Sequence, residues 1–294
     1  MAHVSSPIRS LLKPLLFKCL PESAYLRFQV FAKIRDIDNR LVEEEEMELL
    51  PHLIAKNAVC IDVGANYAYV THRLATLAPL GKVYAYEPIP FAFQASSRIA
   101  SHFKLTNVEL FQLAVGNENN EVTFRVPMDK AGPASVGLSH IASRNNDLPG
   151  RERYYEFKEE ELIDCKQVRL DDHLLPRLSR LDFVKIDVEG AELYCLQGME
   201  ATLRRFEPVL YVEIYPFYSQ GFGISNEQIR SFFDALGYRF FYYQKSTKKL
   251  VQLVGEMIPA NFILFSERTY ARFSELIDET GGDGSRPIDL DAVN

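Results

Sequence analysis

Short apolar runs alternate with amphipathic stretches through the middle of the chain. The runs Val59–Val63 and Lys82–Tyr86 have the length of strands, and the first ends in a glycine-containing turn. Between them, residues 69–78 repeat apolar side chains at helical spacing and stop at Pro79 and Gly81, which predicts a helix. Strands that alternate with helices predict a mostly parallel sheet covered on both faces.

The same two patterns continue toward the C-terminus. The acidic run at residues 43–46 begins a further helix that is predicted to extend through residue 53, and we interpret the run as a solvated helix face. The remaining strands are predicted at residues 108–114, 122–126, 181–186, 208–214, 239–244 and 261–266, and the remaining helices at residues 91–103, 191–206 and 226–236.

Residues 127–165 interrupt this alternation with several prolines and glycines in a polar mixture. Structureless insertions of this length in a compact domain are commonly functional lids or disordered segments, so we expect a lid over the ligand. The predicted organisation is a helical N-terminal extension at 1–45, an α/β domain at 46–270 that carries the insertion, and a C-terminal tail at 271–294.

The composition of the chain limits the classes of partner that we expect it to bind. A net charge of −7 over 294 residues disfavours nucleic acid, because phosphate binding needs a basic face. The four cysteines are widely spaced without a C-x-x-C pair, and the six histidines are scattered. These patterns favour free thiols in a reducing compartment and disfavour a zinc or histidine-based metal site.

Residues 5–21 are apolar with interspersed basic side chains, Arg9, Lys13 and Lys18, and with an interrupting proline. The segment is too short and too charged to span a bilayer, and it lacks the cleavage site of a secretory signal. We expect a helical cap that packs on the domain, and the alternative is weak association with a membrane surface. The expected location is cytoplasmic, either free or peripheral to a membrane.

Unusual residues collect where the predicted strands end, which is where parallel sheets bind ligands. Asp62, Gly64 and Asn66 follow the first strand, and the glycine allows the backbone to approach a ligand closely. A nicotinamide enzyme would need G-x-G-x-x-G at this place, and this loop has one glycine. Because Asp62 would repel a pyrophosphate, the loop suits a cationic ligand, such as an amino-acid ammonium beside a sulfonium.

Two further strand ends carry acids. Glu87 ends the second strand, where a carboxylate commonly binds two ribose hydroxyls, and together with Asp62 it favours an adenosyl ligand. The alternative for this stretch is a plain strand and turn. Asp187 and Glu189 follow the strand at 181–186, and carboxylates placed there are costly unless they are used. The alternative for these two is capping of the next helix.

Five motifs at these strand ends occur in the order typical of one family. They are Asp62-x-Gly64-Ala65-Asn66, Tyr86-Glu87-Pro88, Leu113-Ala114-Val115-Gly116, Leu170-Asp171-Asp172 and Lys185-Ile186-Asp187-Val188-Glu189-Gly190-Ala191-Glu192. With them the chain resembles the FkbM family of methyltransferases over about residues 45–265. The last motif is the most specific of the five, and the first is shared more widely.

The resemblance implies an α/β fold of the class I methyltransferase type. This is a Rossmann-like doubly wound sheet, mostly parallel with one antiparallel strand near the C-terminal edge. It also implies S-adenosylmethionine as the cofactor and methylation of a hydroxyl oxygen on a sugar or glycan-containing acceptor, or on a polyketide-like natural product. The implied roles are the methionine part for Asp62, Gly64 and Asn66, the ribose for Glu87, the adenine for Ala114 and Val115, and the reactive methyl for Asp187. Ala65 and Pro88 are expected as further cofactor-binding residues.

An alcohol acceptor benefits from a general base. The candidates are Asp187 first, Glu189 second and Glu213 third, with His140 and His173 as further possibilities. We expect no resident metal. The alternative interpretation of these acids is a divalent cation held by Asp187, Glu189 and Glu213 with Asp171 or Asp172.

One residue departs from the family pattern, which has glycine where this chain has Ala68. We expect its extra methyl, at the first helical turn, to tighten the cofactor pocket. Two rival functions stay open at this point. One is a nicotinamide-dependent oxidoreductase, which the single loop glycine disfavours, and the other is an inactive binding protein that retains the pocket, which Ala68 would favour.

Overall fold

The fold is given by a computed structural model that describes residues 19–41, 44–129, 132–133, 136–146 and 159–278. The strands in chain order are β1 (Val59–Val63), β2 (Lys82–Tyr86), β3 (Val108–Phe111), β4 (Ala114–Val115), β5 (Asn120–Asp129), β6 (Gly132–Pro133), β7 (His140–Ile141), β8 (Glu159–Val168), β9 (Phe183–Ile186), β10 (Val209–Ile214), β11 (Tyr238–Gln244), β12 (Lys249–Gln252) and β13 (Ala260–Ser266).

Ten α-helical segments accompany these strands in the described residues. They are α1 (Glu22–Asp38), α2 (Leu50–Leu53), α3 (Tyr69–Leu77), α4 (Pro90–His102), α5 (Leu170–His173), α6 (Glu192–Gln197), α7 (Glu200–Phe206), α8 (Pro216–Gln220), α9 (Asn226–Ala235) and α10 (Glu267–Phe273).

The main sheet has eight strands in the order β12-β11-β13-β10-β9-β1-β2-β3. Strands β3, β2, β1, β9 and β10 run parallel, and the chain reverses its direction of travel across the sheet between β1 and β9. Strand β13 is antiparallel to both of its neighbours. The predicted fold class is therefore confirmed, and the edge strand β12 adds a second antiparallel strand. A ligand crevice is expected beyond the carboxyl ends of β1 and β9.

Alternating side chains of the central strands pack into two hydrophobic clusters, one on each face of the sheet. Ile61, Val184 and Val212 pack on one face with residues of α6, α7 and α9. Cys60 and Phe183 pack on the other face with residues of α2, α3 and α10. Burial on both faces explains why the strands read as continuous apolar runs.

A second, five-stranded sheet forms in the chain between β3 and β9. Its main element is the antiparallel pair β5 and β8, which runs from the pair Asn120 and Gln167 to the pair Met128 and Glu159. The predicted strand at 108–114 is wrong as one element, because β3 ends at Phe111 and β4 belongs to this second sheet. The prediction of a structureless insertion at 127–165 is also wrong at both ends of that range, because the paired strands β5 and β8 extend into it.

Two other predicted boundaries are corrected by backbone contacts. The helix predicted at 191–206 is two helices, with Gly198 and the non-helical backbone of Met199 between them. The chain at this break packs closely beside the second sheet, because a Cβ at Gly198 would lie 1.9 Å from the carbonyl oxygen of Gly116. The predicted tail at 271–294 begins too early, since Phe273 and Ile277 are buried in the core. Residues 279–294 lie outside the described residues.

The acidic run at 43–46 is not a simple solvated face. It leads into a 3-10 helix at Glu45–Leu49. Glu44 accepts hydrogen bonds from the hydroxyl of Tyr211 and from Asn261. Burial raises the pKa of Glu46 to about 7. Part of this run therefore covers the sheet beside β10.

The N-terminal extension contributes α1, which packs against α4. Residues 1–18, with most of the expected cap at 5–21, lie outside the described residues. None of the helices described in the structure is long and apolar enough to cross a membrane. The four cysteines are free thiols, as expected.

Candidate active site

A cavity opens at the carboxyl ends of β1, β2 and β9. It encloses about 640 Å³ of empty space, which includes its open mouth. The residues expected to bind the cofactor and the first two candidate bases all line this cavity, except Asp62 and Ala65. The lining residues from that set are Gly64, Asn66, Glu87, Pro88, Ala114, Val115, Asp187 and Glu189.

Gly64 forms the closest contact between the turns after β1 and β9. It has a φ of +81°, and a Cβ at this position would lie 1.9 Å from the carbonyl oxygen of Asp187. Only glycine avoids both the strained conformation and the overlap. The amides of Gly64 and Ala65 both donate to the carbonyl of Tyr86 at 3.0 Å. The first loop is therefore held against both neighbouring strand ends.

Glu87 is held by two backbone amides at the end of β2. Its Oε2 accepts from the amide of Asn66 at 2.8 Å, and its Oε1 accepts from the amide of Ile89 at 2.9 Å. The side chain is 4% exposed, and burial raises its pKa to about 7. Each carboxylate oxygen has a further lone pair. The carboxylate can therefore accept hydrogen bonds from two ligand hydroxyls without moving.

Asp62 does not line the cavity, which corrects the expectation of direct ligand contact. It is fully buried and accepts from Thr71 Oγ1 at 2.5 Å. Burial raises the pKa of Asp62, although the ammonium of Lys185, 3.9 Å away, opposes this shift. Its Oδ1 has no hydrogen-bond partner among the described residues. Ala65 also does not line the cavity, and its contribution is the backbone amide that donates to the carbonyl of Tyr86.

Lys185 belongs to the site, although no role was predicted for it from the sequence. Its ammonium donates to Asp187 Oδ2 at 3.0 Å and to the carbonyl of Gly64 at 3.2 Å, and the residue is 6% exposed. A charged residue inside the strand Phe183–Ile186, which is otherwise apolar, was the available signal, because lysine is seldom buried without a partner. Lys185 therefore connects the first loop to the acid that follows β9.

Three carboxylates converge at the ends of β9 and β10. Asp187, Glu189 and Glu213 each offer an oxygen within 4.8 Å of the others. Burial raises the pKa of Glu189 and of Glu213 well above the usual range, and the charge of Asp187 adds to both shifts. Burial also acts to raise the pKa of Asp187, but Lys185 and a hydrogen bond shared with Glu213 outweigh it and lower that pKa.

Asp171 and Asp172 do not join these three acids, so the interpretation of a cation site that includes either of them is wrong. Asp171 accepts from the amides of Ala201 and Thr202 at the start of α7. Asp172 accepts from the side chain of Asn119. Both residues therefore serve the packing around α5 and α7.

The turn after Asp187 is held by groups other than its own acids. Glu189 and Gly190 have φ values of +54° and +100°. The amides of Gly190 and Val188 donate to Glu192 Oε1 at 2.9 and 3.3 Å. The helix-capping alternative for Asp187 and Glu189 is wrong, because no side chain in the described part of the chain caps the helix Glu192–Gln197 and both acids line the cavity.

Residues 136–146 border the cavity on its open side. Gly137, Ser139 and Ile141 line it. The segment is anchored by Arg144, whose Nη1 donates to the carbonyl of Glu189 at 2.7 Å and whose guanidinium lies 4.7 Å from the ring centroid of Tyr218. Arg144 was missed because nothing in this irregular stretch singles out one arginine.

The two candidate histidines are engaged elsewhere. His140 Nδ1 faces the carbonyl of Leu138 at 3.0 Å and Nε2 faces Asn146 at 2.9 Å, while burial and the charge of Arg144 lower its pKa to about 4. His173 Nδ1 lies 3.0 Å from the hydroxyl of Tyr86. Neither ring lines the cavity, so the carboxylates are the better candidates for a base.

Ala68 does not tighten the pocket, which corrects that expectation. It is fully buried in the hydrophobic cluster shared with α1 and α4, and it does not line the cavity. Its φ of +58° lies in the left-handed region, which glycine adopts without strain. The departure from glycine therefore affects backbone strain at the start of α3 more than it affects ligand space.

The residues fit a ligand with a cationic end and a ribose. Oδ1 of Asn66 lies in the first loop and is buried without a hydrogen-bond partner in the described residues, and Oδ1 of Asp62 is likewise unpaired beneath that loop in β1. Glu87 supplies acceptors for hydroxyls, and Ala114 and Val115 supply an apolar wall. This donor and acceptor set matches the adenosyl cofactor expected from the sequence.

Comparison with known proteins gives one family. The sequence matches the family described as "Methyltransferase FkbM domain" over residues 62–240. It is 28% identical over 146 residues to "Methyltransferase 1" of Beauveria bassiana, a match that covers 48% of this chain and 57% of that protein. It is 26% identical over 165 residues to "Methyltransferase sdnD" of Sordaria araneosa, a match that covers 50% of this chain and 62% of that protein.

The chain thus spans about three fifths of the length of these two relatives. Among solved structures, it is similar to the methyltransferase FkbM from Methylobacillus flagellatus, with a TM-score of 0.46 and 13% identity over 88% of this chain and 59% of that one.

Proposed function

The chain belongs to the FkbM methyltransferase family, and from this premise we propose that it methylates a hydroxyl of a sugar or glycan-containing acceptor with S-adenosylmethionine. The observation that carries the proposal is the position of three carboxylates directly beside the adenosyl site. Asp187 and Glu189 line the same cavity as Glu87, and Glu213 adjoins them. A polyketide-like natural product is the alternative acceptor.

The end of the cleft between β1 and β2 would hold the cofactor. The carboxylate of Glu87 would accept hydrogen bonds from the ribose hydroxyls, and Pro88 would pack beside the sugar. Ala114 and Val115 would contact the adenine. Asn66 Oδ1 would face the ammonium of the methionine part, while Asp62 contributes negative charge from beneath the loop. When bound, S-adenosylmethionine supplies an electrophilic methyl group on a sulfonium.

The end between β9 and β10 would bind and activate the acceptor. The acceptor hydroxyl would take up the methyl group that the cofactor supplies, with the cofactor leaving as a neutral thioether, and the hydroxyl proton would pass to a carboxylate. Asp187 is the first candidate for this base because it lines the cavity and its lowered pKa keeps it ionised. Glu189 is the second candidate. Most of the rate enhancement would come from alignment of the hydroxyl with the methyl group.

The acids favour a polyol acceptor over an apolar one. Asp187 is held ionised and accepts hydrogen bonds, whereas the raised pKa values of Glu189 and Glu213 favour the protonated form, which can both donate and accept. Neighbouring hydroxyls of a sugar can donate to the first acid and exchange hydrogen bonds with the other two. Residues 136–146 border this end of the cavity, and we assign them the cover over the acceptor. Residues 130–131, 134–135 and 147–158 of the expected lid at 127–165 lie outside the described residues.

The test is transfer of radiolabelled methyl groups to a panel of oligosaccharides and to a panel of polyketide-like compounds. We expect label on oligosaccharides, with loss of transfer in Asp187→Asn. Transfer should persist with a chelator, because the proposal assigns no step to a metal. Label on the second panel alone would favour the alternative acceptor. Absence of transfer to both panels, with cofactor binding intact, would favour the inactive binding protein.

A further inference from the structure

A basic surface lies on α1 and α4, and it shares no lining residue with the cavity of the proposed active site. Helix α1 presents Arg27, Phe31 and Arg35 at successive intervals of four residues, which places them on one helix face. Phe31 is 59% exposed between the two arginines. Helix α4 packs beside α1 and adds Arg98 and His102, again four residues apart. We call these five residues the basic face.

The basic face borders a wide, open groove between α1 and α4. One acidic residue, Asp38, lines it with the three arginines. Within the described part of the chain, the side chains of Arg27, Arg35 and Arg98 form no hydrogen bond or ion pair, although surface arginines commonly find a partner. Their charges are therefore available to an external anion.

This surface stands out because the whole chain is acidic, with a net charge of −7. On a molecule of net negative charge, a positive face is attracted to an anionic surface while the rest of the molecule is repelled by it. The molecule is therefore oriented with this face toward the anionic surface. The sequence just before α1 has the same character. The first 21 residues contain Arg9, Lys13 and Lys18 and no acidic side chain. In the sequence, the α1 part of the basic face thus follows a segment with three basic residues and no acidic one.

We propose that the basic face docks the protein on an anionic phospholipid bilayer. Lipid phosphates would neutralise the unpaired arginines, and the exposed ring of Phe31 would enter the interface between headgroups and acyl chains. A nucleic acid could also neutralise arginines. The bilayer is favoured because the preceding segment is rich in leucine, as in Leu11-Leu12 and Leu15-Leu16, and hydrocarbon is a partner that a nucleic acid lacks.

The test is co-sedimentation of the full chain with vesicles of phosphatidylcholine, with and without phosphatidylglycerol. We expect binding only to the anionic vesicles, with a loss at high salt. Because each basic residue near such a surface contributes roughly a fivefold gain in partitioning, Arg27→Gln with Arg35→Gln should lower binding by about 25-fold. A second variant, Arg98→Gln with His102→Gln, applies the same test to α4. It should lower binding by about fivefold or more, since it removes one arginine and one histidine.

The matched control is Lys56→Gln with Arg268→Gln, which removes two exposed positive charges elsewhere on the chain. It should bind anionic vesicles nearly as well as the unmodified protein. Methyl transfer in solution should be unchanged in the basic-face variants, so this test is independent of the proposed function. Equal binding to both vesicle types, equal losses in control and test variants, or binding to a single-stranded oligonucleotide that the variants lose would overturn the proposal.

Discussion

The two ends of the cleft hold their carboxylates by different means. At the β1–β2 end, Glu87 accepts from two backbone amides and Asp62 from Thr71, so these acids are positioned by groups that do not titrate. At the β9–β10 end, Asp187, Glu189 and Glu213 lie within 4.8 Å of one another and have Lys185 as the ammonium close to Asp187. In the proposed function, the first end would bind the cofactor and the second would exchange a proton with the acceptor.

The largest expected effect comes from the contact that joins the two ends. Gly64→Ala would place a Cβ 1.9 Å from the Asp187 carbonyl at a φ of +81°. We expect the free energy of unfolding to fall by more than about 3 kcal/mol in denaturant titrations. Gly237→Ala is the control, because Gly237 has a φ of +73° and open space around it. It should cost only about 1 kcal/mol, and equal losses would contradict the account.

The next effect separates chemistry from binding. Asp187→Asn keeps the size of the side chain but removes the proposed base, so kcat should fall by about 100-fold or more. Affinity for S-adenosylhomocysteine should stay within about threefold, because Glu87 and the first loop are unchanged. If cofactor affinity fell as steeply as kcat, Asp187 would belong to the binding end instead.

The acids at both ends of the cleft could be predicted from the sequence, whereas several of the contacts that hold them could not, for a physical reason. Strands buried on both faces are continuous apolar runs, so their ends and the acids that follow can be read directly, as for Glu87. Strand β8 was missed because it begins with three glutamates, which have low strand propensity. The close packing at Gly198 is against Gly116, which is distant in the sequence. Arg144 bonds the carbonyl of Glu189, which comes near it only in the folded chain. Such contacts leave no local pattern.

A smaller effect should appear when the cover over the acceptor is loosened. Arg144→Gln removes the guanidinium that bonds the Glu189 carbonyl and covers Tyr218, so we expect KM for the acceptor to rise about tenfold. Cofactor affinity should change little. Arg125→Gln is the matched control, because Arg125 bonds Ala142 of the same segment and pairs with exposed Glu160 instead of the Glu189 turn. Similar KM values for both variants would show that the Glu189 contact is unimportant.

The smallest expected effect is on the pH dependence of stability. Burial raises the pKa of Glu87 and of Glu192 from 4.5 to about 7. The folded state therefore binds more protons than the unfolded state in this window, and the free energy of unfolding should fall as the pH rises from about 4.5 to about 7. Glu192→Gln keeps the acceptor for the amides of Val188 and Gly190 without the charge.

Urea titrations at about pH 5 and about pH 8 measure this effect. In the unmodified protein each of the two carboxyls should contribute a loss of about 1 to 3 kcal/mol between the two values, and Glu192→Gln should lose only the share of Glu87. A stability that rises with pH over this window would mean that these acids are better stabilised as anions in the folded state than their burial implies.

The central claim is that the cavity at the ends of β1, β2 and β9 binds the adenosyl cofactor through Glu87. Titration calorimetry with S-adenosylhomocysteine at about pH 8, where Glu87 is ionised, tests it most directly. We expect one binding site in the unmodified protein and about tenfold weaker binding in Glu87→Gln, from the loss of charge-assisted hydrogen bonds to the ribose. Equal affinity in the two proteins, or binding of NAD in place of S-adenosylhomocysteine, would contradict the account.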